Sequence, residues 1–416
     1  MVKKKKINMT AIIMISMVIG VIFGLITGKS YPLIETIGQV FLRLIQMSII
    51  LLVTGQIIEA VGGIKASEAG KIGIKTIIIF FVSTLLAAIF GVFMTLVMKP
   101  GVGLDLAAAD PAVKVTAGQA TSLTDTILGF FPSNIMAAMS NGVIVQVIVF
   151  AIMFGLALSY INRNGETKLF GLIREFNKVI MRIIAMIMQI APIGVFALVA
   201  SSIGKFGVKV IIPLAKYLAT FGLGTLIFLT LWITVVALSV RVSFGGIVKG
   251  ISRMSAMALA TTSSAITLPI EMQDAETKLG VSADISKIVL PLGVSLNSNG
   301  AAMHMAITIV TIAQLYGVSY SFPQLMYIVV LASFASLANA VVPGAGLVSL
   351  SIVVPQMGLP LESIALFAGV EWFVGMLRTI TNVDSDTFTA MLVAKSEGKF
   401  KYEHFEKGYI APESND

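Results

Sequence analysis

Four ionisable residues, Glu371, Arg378, Asp384 and Asp386, stand inside an apolar run near the C-terminal end of a 416-residue chain. Before them, Ala340-Val341-Val342-Pro343-Gly344-Ala345-Gly346 breaks a second apolar run. A Pro-Gly-Ala-Gly break leaves backbone groups unpaired, which hydrocarbon tolerates only where protein or a wet cavity covers them. Ionisable side chains at that depth are costly and face a bundle interior or a solute pathway. The chemistry open to this pattern is the binding of ions and small solutes, because half-helix ends offer N–H groups to anions and C=O groups to cations.

Two further interruptions precede this stretch. The run from Met254 to Leu268 is too short and too hydroxylated to cross a bilayer, holding Thr261, Thr262, Ser263, Ser264 and Thr267, then Pro269 and the acidic Glu271, Asp274 and Glu276. It reads as a re-entrant hairpin. A run over 285–315 is broken by Asn297-Ser298-Asn299-Gly300. The order is therefore hairpin, broken span, second hairpin over about 322–359, and charged span over about 362–395. Two interrupted segments in corresponding positions point to repeats around a midplane solute site. No Walker-type phosphate loop is present, which argues against direct use of ATP. The broken segments also lack a His/Asp/Glu metal cluster or a base paired with a serine, which argues against an intramembrane enzyme.

The elements that must position these residues follow from composition. Hydrophobic residues make up 57% and charged residues 12% of the chain, and mean hydropathy is +0.96. Such a chain is an all-α polytopic membrane protein. It has no cysteine, so disulfides and thiolate metal sites do not arise. The formal charge of +8 comes from lysines and arginines clustered at the ends of apolar runs, which signals topology and not a nucleic-acid partner.

Taken in order, Lys3 to Lys6 precede a run over 9–26, read as a retained first span. A second over 37–61 returns to Lys65, Lys71 and Lys75, setting the N-terminus inside. A third covers 72–98 and opens into a polar segment over 102–125, followed by an oblique stretch over 130–140 and a span over 143–161. Arg163, Lys168, Arg174, Lys178 and Arg182 form an inside basic loop; the next span, 179–203, is expected to kink at Pro192. A span over 208–240 closes on Arg241, Lys249 and Arg253, and the charged end from Gly398 to Asp416 is expected to be solvated.

These segments together resemble the dicarboxylate/amino-acid:cation symporter family, which includes glutamate, aspartate and C4-dicarboxylate carriers. The resemblance runs from the first span to Lys395. It is carried by Thr262-Ser263-Ser264 with Thr267-Leu268-Pro269, by Pro291-Leu292-Gly293 with Asn297-Ser298-Asn299-Gly300, by Pro343-Gly344-Ala345-Gly346 with Gly358-Leu359-Pro360, and by Arg378-Thr379 with Thr381-Asn382-Val383-Asp384-Ser385-Asp386. The family is itself among the cases on which the rule about broken repeats rests. It implies eight spanning helices, two re-entrant hairpins and inverted repeats, working as an elevator in a homotrimer of the cell (inner or plasma) membrane. Residues 1–70 and 102–207 would form the scaffold, 71–101 and 208–397 the transport part, and 398–416 a cytoplasmic tail.

Carried over residue by residue, the resemblance makes Arg378 the ligand of a substrate carboxylate, for which its planar fork is suited. It places Asn382 at the substrate's main carboxylate, Ser263 and Ser264 at the inner hairpin tip, and Val342 to Gly346 at the outer gate. Thr379 and Gly375 lie beside Arg378 on the same helix. Asp386 becomes a sodium ligand helped by Asn297, Asn382 and nearby carbonyls, since hard cations take oxygen ligands. Four departures matter. The aspartate of the deepest sodium site is Asn299 here, although partner hydroxyls are kept as Ser83 and Thr84, so that site should be weak or lost. A substrate-contacting threonine is Ala301, and a tyrosine near the sodium site is Phe80. The aspartate that receives a substrate amino group falls at Gly375, and without it a bound ammonium would lack its counter-charge; Glu371 could stand in but is expected to be structural. His304, where relatives carry tyrosine, is a core histidine or else a proton site.

The function expected is import of a small, C4-like dicarboxylate coupled to Na+, H+ or both. The alternatives are a Na+-coupled transporter of acidic or polar amino acids (glutamate or aspartate, serine or threonine, cystine), and, from another class, an anion-conducting channel.

Overall fold

The computed structural model describes residues 9–63, 70–103, 128–162, 167–337 and 345–407, with isolated positions 106 and 124. Its first helices match the apolar runs: α1 (Met9–Thr27), α2 (Pro32–Gly62) and α3 (Lys71–Met98). α2 opens with Pro32 in its first turn, where a missing N–H removes no helical bond. α3 stops at Lys99, which adopts a left-handed conformation directly before Pro100. A short α4 (Ile135–Ser140), capped by the Asn134 side chain, leads into α5 (Ile144–Ile161).

The next helix corrects the sequence reading. The basic stretch lies on α6 (Lys168–Gln189), a helix that carries Arg174, Lys178 and Arg182, and not in a loop. The span bends where Pro192 was expected to bend it: Pro192 sits in the first turn of α7 (Ala191–Phe206), which follows α6 after Ile190 alone at 57°. A 3₁₀ turn over Gly207–Val210 joins α7 to α8 (Ile211–Val240).

The first hairpin begins earlier than expected, at the Ser243 cap of α9 (Phe244–Thr261), and returns through α10 (Ser264–Lys278). Its two arms are tied by Arg253 on α9, which donates to Asp274 on α10 at 3.1 Å. The broken span follows as α11 (Ala283–Leu296) and α12 (Asn299–Leu315). The second hairpin consists of α13 (Phe322–Ser336) and α14 (Ala345–Gln356); its expected tip, including Val342, lies outside the described residues. The charged span is not one helix. A 3₁₀ turn over Leu361–Ser363 and α15 (Ile364–Ala368) meet α16 (Glu371–Ser396) at 87°, across Gly369 and Val370.

Four of these helices, α2, α3, α5 and α8, are each long and apolar enough to cross a membrane, and two bent pairs satisfy the same test together. That gives up to six crossings among the described residues, so the chain is a multi-pass membrane protein. Ile78, Phe81, Leu86 and Phe93 on α3 are exposed, as a lipid-facing stripe requires. α12, by contrast, is buried along nearly its whole length. It packs against α3, α13, α14 and α16, while α16 also packs against α8, α9, α10 and α11. α2 packs against α5, α6 and α7, and α1 against α7.

The charged end is not wholly solvated. Its first part forms α17 (Tyr402–Lys407), where the Tyr402 hydroxyl donates to the Val240 carbonyl at 2.7 Å. Nearby, the Lys401 N–H donates to the Gly280 carbonyl, also at 2.7 Å. These contacts satisfy backbone acceptors at the ends of α8 and α10, which explains why a charged segment folds back here.

Candidate substrate and cation site

Three helix breaks converge on one side of α16. At the first hairpin tip, Thr262 takes a left-handed φ of 50°, a conformation that costs energy in a non-glycine residue and collects at functional sites. Ser263 then caps α10: its Oγ accepts from the Ile266 N–H at 3.4 Å, and its carbonyl accepts from the Thr267 hydroxyl at 2.9 Å. Ser264 is the first residue of α10 and is buried. Thr262, Gly375, Arg378, Glu371 and Leu347 line one cavity of about 50 Å³, closed on its other side by Met14, Met17, Phe41 and Met188. Arg378 thus shares this cavity with Thr262, at the turn between α9 and α10.

Arg378 is only 4% exposed and Glu371 only 7%. Nη1 of Arg378 donates to Glu371 Oε1 at 2.9 Å, and the Gly346 N–H donates to the same oxygen at 3.0 Å. Glu371 is therefore not merely structural: it holds the guanidinium expected to meet substrate. The two residues are seven apart on one helix, a spacing that puts them on the same face, so the pairing was legible but was passed over. A Cβ on Gly346 would collide with both side chains, which is why the start of α14 carries glycine there. A Cβ on Gly375 would meet no obstacle, lying 3.7 Å from Arg378 Nη2 and 4.0 Å from Thr262 Cγ2. Thr379 does not turn its hydroxyl to the site; it donates back to the Gly375 carbonyl at 2.8 Å. Asn382 accepts from the Gly300 N–H at 2.8 Å, fastening α16 to the start of α12.

A second group lies around Asp386, fully buried. Its Oδ1 accepts from Asn297 Nδ2 at 2.7 Å, while Oδ2 has no partner. A free buried carboxylate oxygen beside an amide and a broken backbone fits a small hard cation, and Asn297, Asn382 and Asp386 are the residues that would hold it. Gly293 on α11 leaves the space that Asp386 fills, since a Cβ there would collide with the carboxylate.

Asn299 behaves differently. Its Oδ1 accepts from the Thr84 hydroxyl at 2.8 Å and lies 3.2 Å from Ser83 Oγ, while its Nδ2 donates to Ser83 at 3.1 Å. The amide and both hydroxyls satisfy one another, which leaves that position neutral and weak for a cation. His304 is buried, yet neither ring nitrogen has a hydrogen-bond partner, so the expectation of a hydrogen-bonded core histidine fails. Its charged neighbour is Arg378, not a carboxylate to which a proton could pass; the ring packs against Phe221.

Sequence reasoning missed two side chains at this end of α16. Glu271 on α10 is fully buried and accepts from the Thr387 hydroxyl at 3.1 Å, although Pro269 and the acidic run after it made it look like the wet end of the hairpin. Ser255, which donates to Asp384 Oδ1 at 2.8 Å, gives no signal in the sequence.

Broken helices crossing beside a buried arginine, a capped hairpin tip and an orphaned carboxylate define a secondary transporter, not an enzyme. The model of the sodium:dicarboxylate symporter family matches residues 9–396, and the chain belongs to that family. It is 32% identical over 378 residues to a proton/glutamate-aspartate symporter of Escherichia coli, covering 88% of this chain and 86% of that one. Identity to a proton/sodium-glutamate symport protein of Bacillus caldotenax is 30%, over 98% of each chain. A C4-dicarboxylate transport protein of Bacillus subtilis is 30% identical, over 94% of each.

Proposed function

We propose that the protein imports a small, C4-like dicarboxylate, coupled to Na+, H+ or both, by elevator movement of a transport domain. The observation that carries this reading is the buried Arg378 guanidinium sharing a cavity with Thr262 at the tip of the first hairpin. One substrate carboxylate takes Arg378 by displacing Glu371; the other is received at the α10 end by Ser263 and Ser264. Gly346 holds Glu371 beside Arg378 through its N–H. A coupling cation binds at Asp386 with Asn297 and Asn382, and closure follows when cation and substrate are both in place. The packing of α16 against both arms of the first hairpin and against α14, and of α12 against α13 and α14, supports a transport part of 71–101 and 208–397, moving against a scaffold of α1, α2 and α5–α7. The relatives named for proton/sodium coupling support both ions. A homotrimer in the cell (inner or plasma) membrane with its N-terminus in the cytoplasm completes the reading.

One observation favours a second reading. Glu371 at 2.9 Å from Arg378 gives the pocket an anion as well as a cation, which would serve the ammonium of an amino acid in place of the side chain missing at Gly375. Uptake of labelled succinate and labelled L-aspartate into proteoliposomes, each under an inward sodium gradient at equal pH, separates the two. Succinate uptake alone supports the dicarboxylate; aspartate uptake alone moves the assignment to amino acids.

A further inference from the structure

Glu271, Asp384 and Asp386 form a carboxylate group that the substrate pocket does not use. Glu271 and Asp386 are both 0% exposed. Each spends one oxygen on a neutral donor, Thr387 for Glu271 and Asn297 for Asp386. Each keeps a second oxygen, Oε2 and Oδ2, buried and without a partner. The two carboxylates lie within electrostatic reach of one another, and Asp384 is within reach of both.

The cations of the packed elements are committed elsewhere. Arg253 and Lys278 bind Asp274 at 3.0 and 2.8 Å. Lys399 binds Asp284 at 2.8 Å, Lys75 binds Glu397, and Lys395 binds the Tyr402 hydroxyl at 2.6 Å. Lys249 and Lys287 are exposed. Among the described residues, no positive side chain faces Glu271 or Asp386. Two uncompensated carboxylates in a membrane interior are far too costly to persist as anions: each must bind a cation or take up a proton. Asp384, held by the partly exposed Ser255, stands at the edge of the group.

We infer that Glu271 is a cation-binding carboxylate in its own right, so that this end of α16 holds one sodium ion more than Asp386 alone would hold. Oε2 of Glu271 is the charged ligand and the Thr387 hydroxyl steadies its other oxygen. Since Glu271 rides on the inner hairpin and Asp386 on α16, filling both positions ties the hairpin arm to the helix that carries Arg378. The inference rests on the reading of the protein as a cation-coupled symporter.

The test is the number of sodium ions bound per subunit by the purified full-length protein, measured by equilibrium dialysis with radioactive Na+. Sodium-dependent thermal stabilisation is followed in parallel. Glu271→Gln should lower the count by one and flatten the stabilisation, and Glu271→Asp should keep the count with roughly tenfold weaker affinity. Asp386→Asn, the reference variant, should also lose an ion. An unchanged count in Glu271→Gln beside a lost ion in Asp386→Asn overturns the inference and leaves cation coupling standing. Absence of any sodium binding by the unmodified protein overturns both the inference and sodium coupling. Should Glu271→Gln not fold, Thr387→Ala, which removes only the donor to Oε1, is expected to weaken sodium binding several-fold; unchanged binding there overturns the inference.

Discussion

Two buried charged groups lie along α16, and they are opposite in balance. At Arg378 the charges cancel, because Glu371 supplies the counter-charge at 2.9 Å and the Gly346 N–H holds it in place. Around Asp386 they do not cancel: Glu271, Asp384 and Asp386 have only hydroxyl and amide donors. A balanced pair in low dielectric is stable as it is and opens only to a ligand that replaces one member. An unbalanced group of carboxylates is stable only when it binds a cation or takes up protons. On the proposed function, the first group serves substrate exchange and the second ion coupling, both on one helix.

The strongest way to break the comparison is to unbalance the balanced group. Arg378→Ala removes the substrate's cation and strands Glu371 in the interior, where losing one partner of a buried pair costs about 3–5 kcal/mol. Dicarboxylate uptake into proteoliposomes should fall by at least about 100-fold, since 1.4 kcal/mol is a factor of ten. Uptake retained by a well-folded variant would remove Arg378 from the site. Next in size is Asp386→Asn, which lightens the unbalanced group. Sodium should raise the melting temperature less than in the parent, and uptake under a sodium gradient should drop by roughly tenfold or more, about 1.4 kcal/mol. Equal sodium dependence in variant and parent would place the coupling ion elsewhere.

A smaller effect tests the fit between the start of α14 and the balanced pair. Gly346→Ala adds a Cβ that collides with Arg378 and Glu371, so one of them must shift. Overpacking of this kind costs about 1–3 kcal/mol, and substrate KM should rise about tenfold with the sodium dependence unchanged. A parallel loss of sodium dependence would show that the two groups are not separate.

Much of this arrangement was legible in the chain, for physical reasons. Apolar runs marked the spans, and the hydroxyl-rich, proline-broken stretches marked the hairpins, because hydrocarbon penalises unpaired backbone. Arg378, Asp384 and Asp386 stood out as ionisable residues in an apolar run and Asn299 as part of a break, whereas Asn382 was singled out only by the family resemblance. What failed was local. The bend at Pro192 was legible, but not that it divides the span into two helices. The stretch from Lys168 to Arg182 was read as a loop from its charge alone, although apolar residues alternate with the basic ones at helical spacing. Glu271 was hidden because its burial depends on α9 and α16, which no local pattern reports. The end over 399–405 was read as solvated because its docking partners, Val240, Gly280 and Glu276, lie far away in the chain.

The finest test of the comparison is Glu371→Gln, whose sign separates the two substrate readings. Glutamine keeps the shape and an oxygen for the Gly346 N–H, but it removes the counter-charge from Arg378. The empty pocket then carries an unpaired cation and becomes less stable, while the pocket filled by a dicarboxylate does not need Glu371. Affinity for succinate should therefore rise, by about threefold to tenfold, or about 0.7–1.4 kcal/mol, seen as a lower KM for uptake. For an amino acid the argument reverses, since Glu371 would hold its ammonium and the KM for aspartate should rise by a similar factor. An unchanged KM for both would mean that the ion pair moves aside without cost, and the balance of charge at Arg378 would then have no part in choosing the substrate.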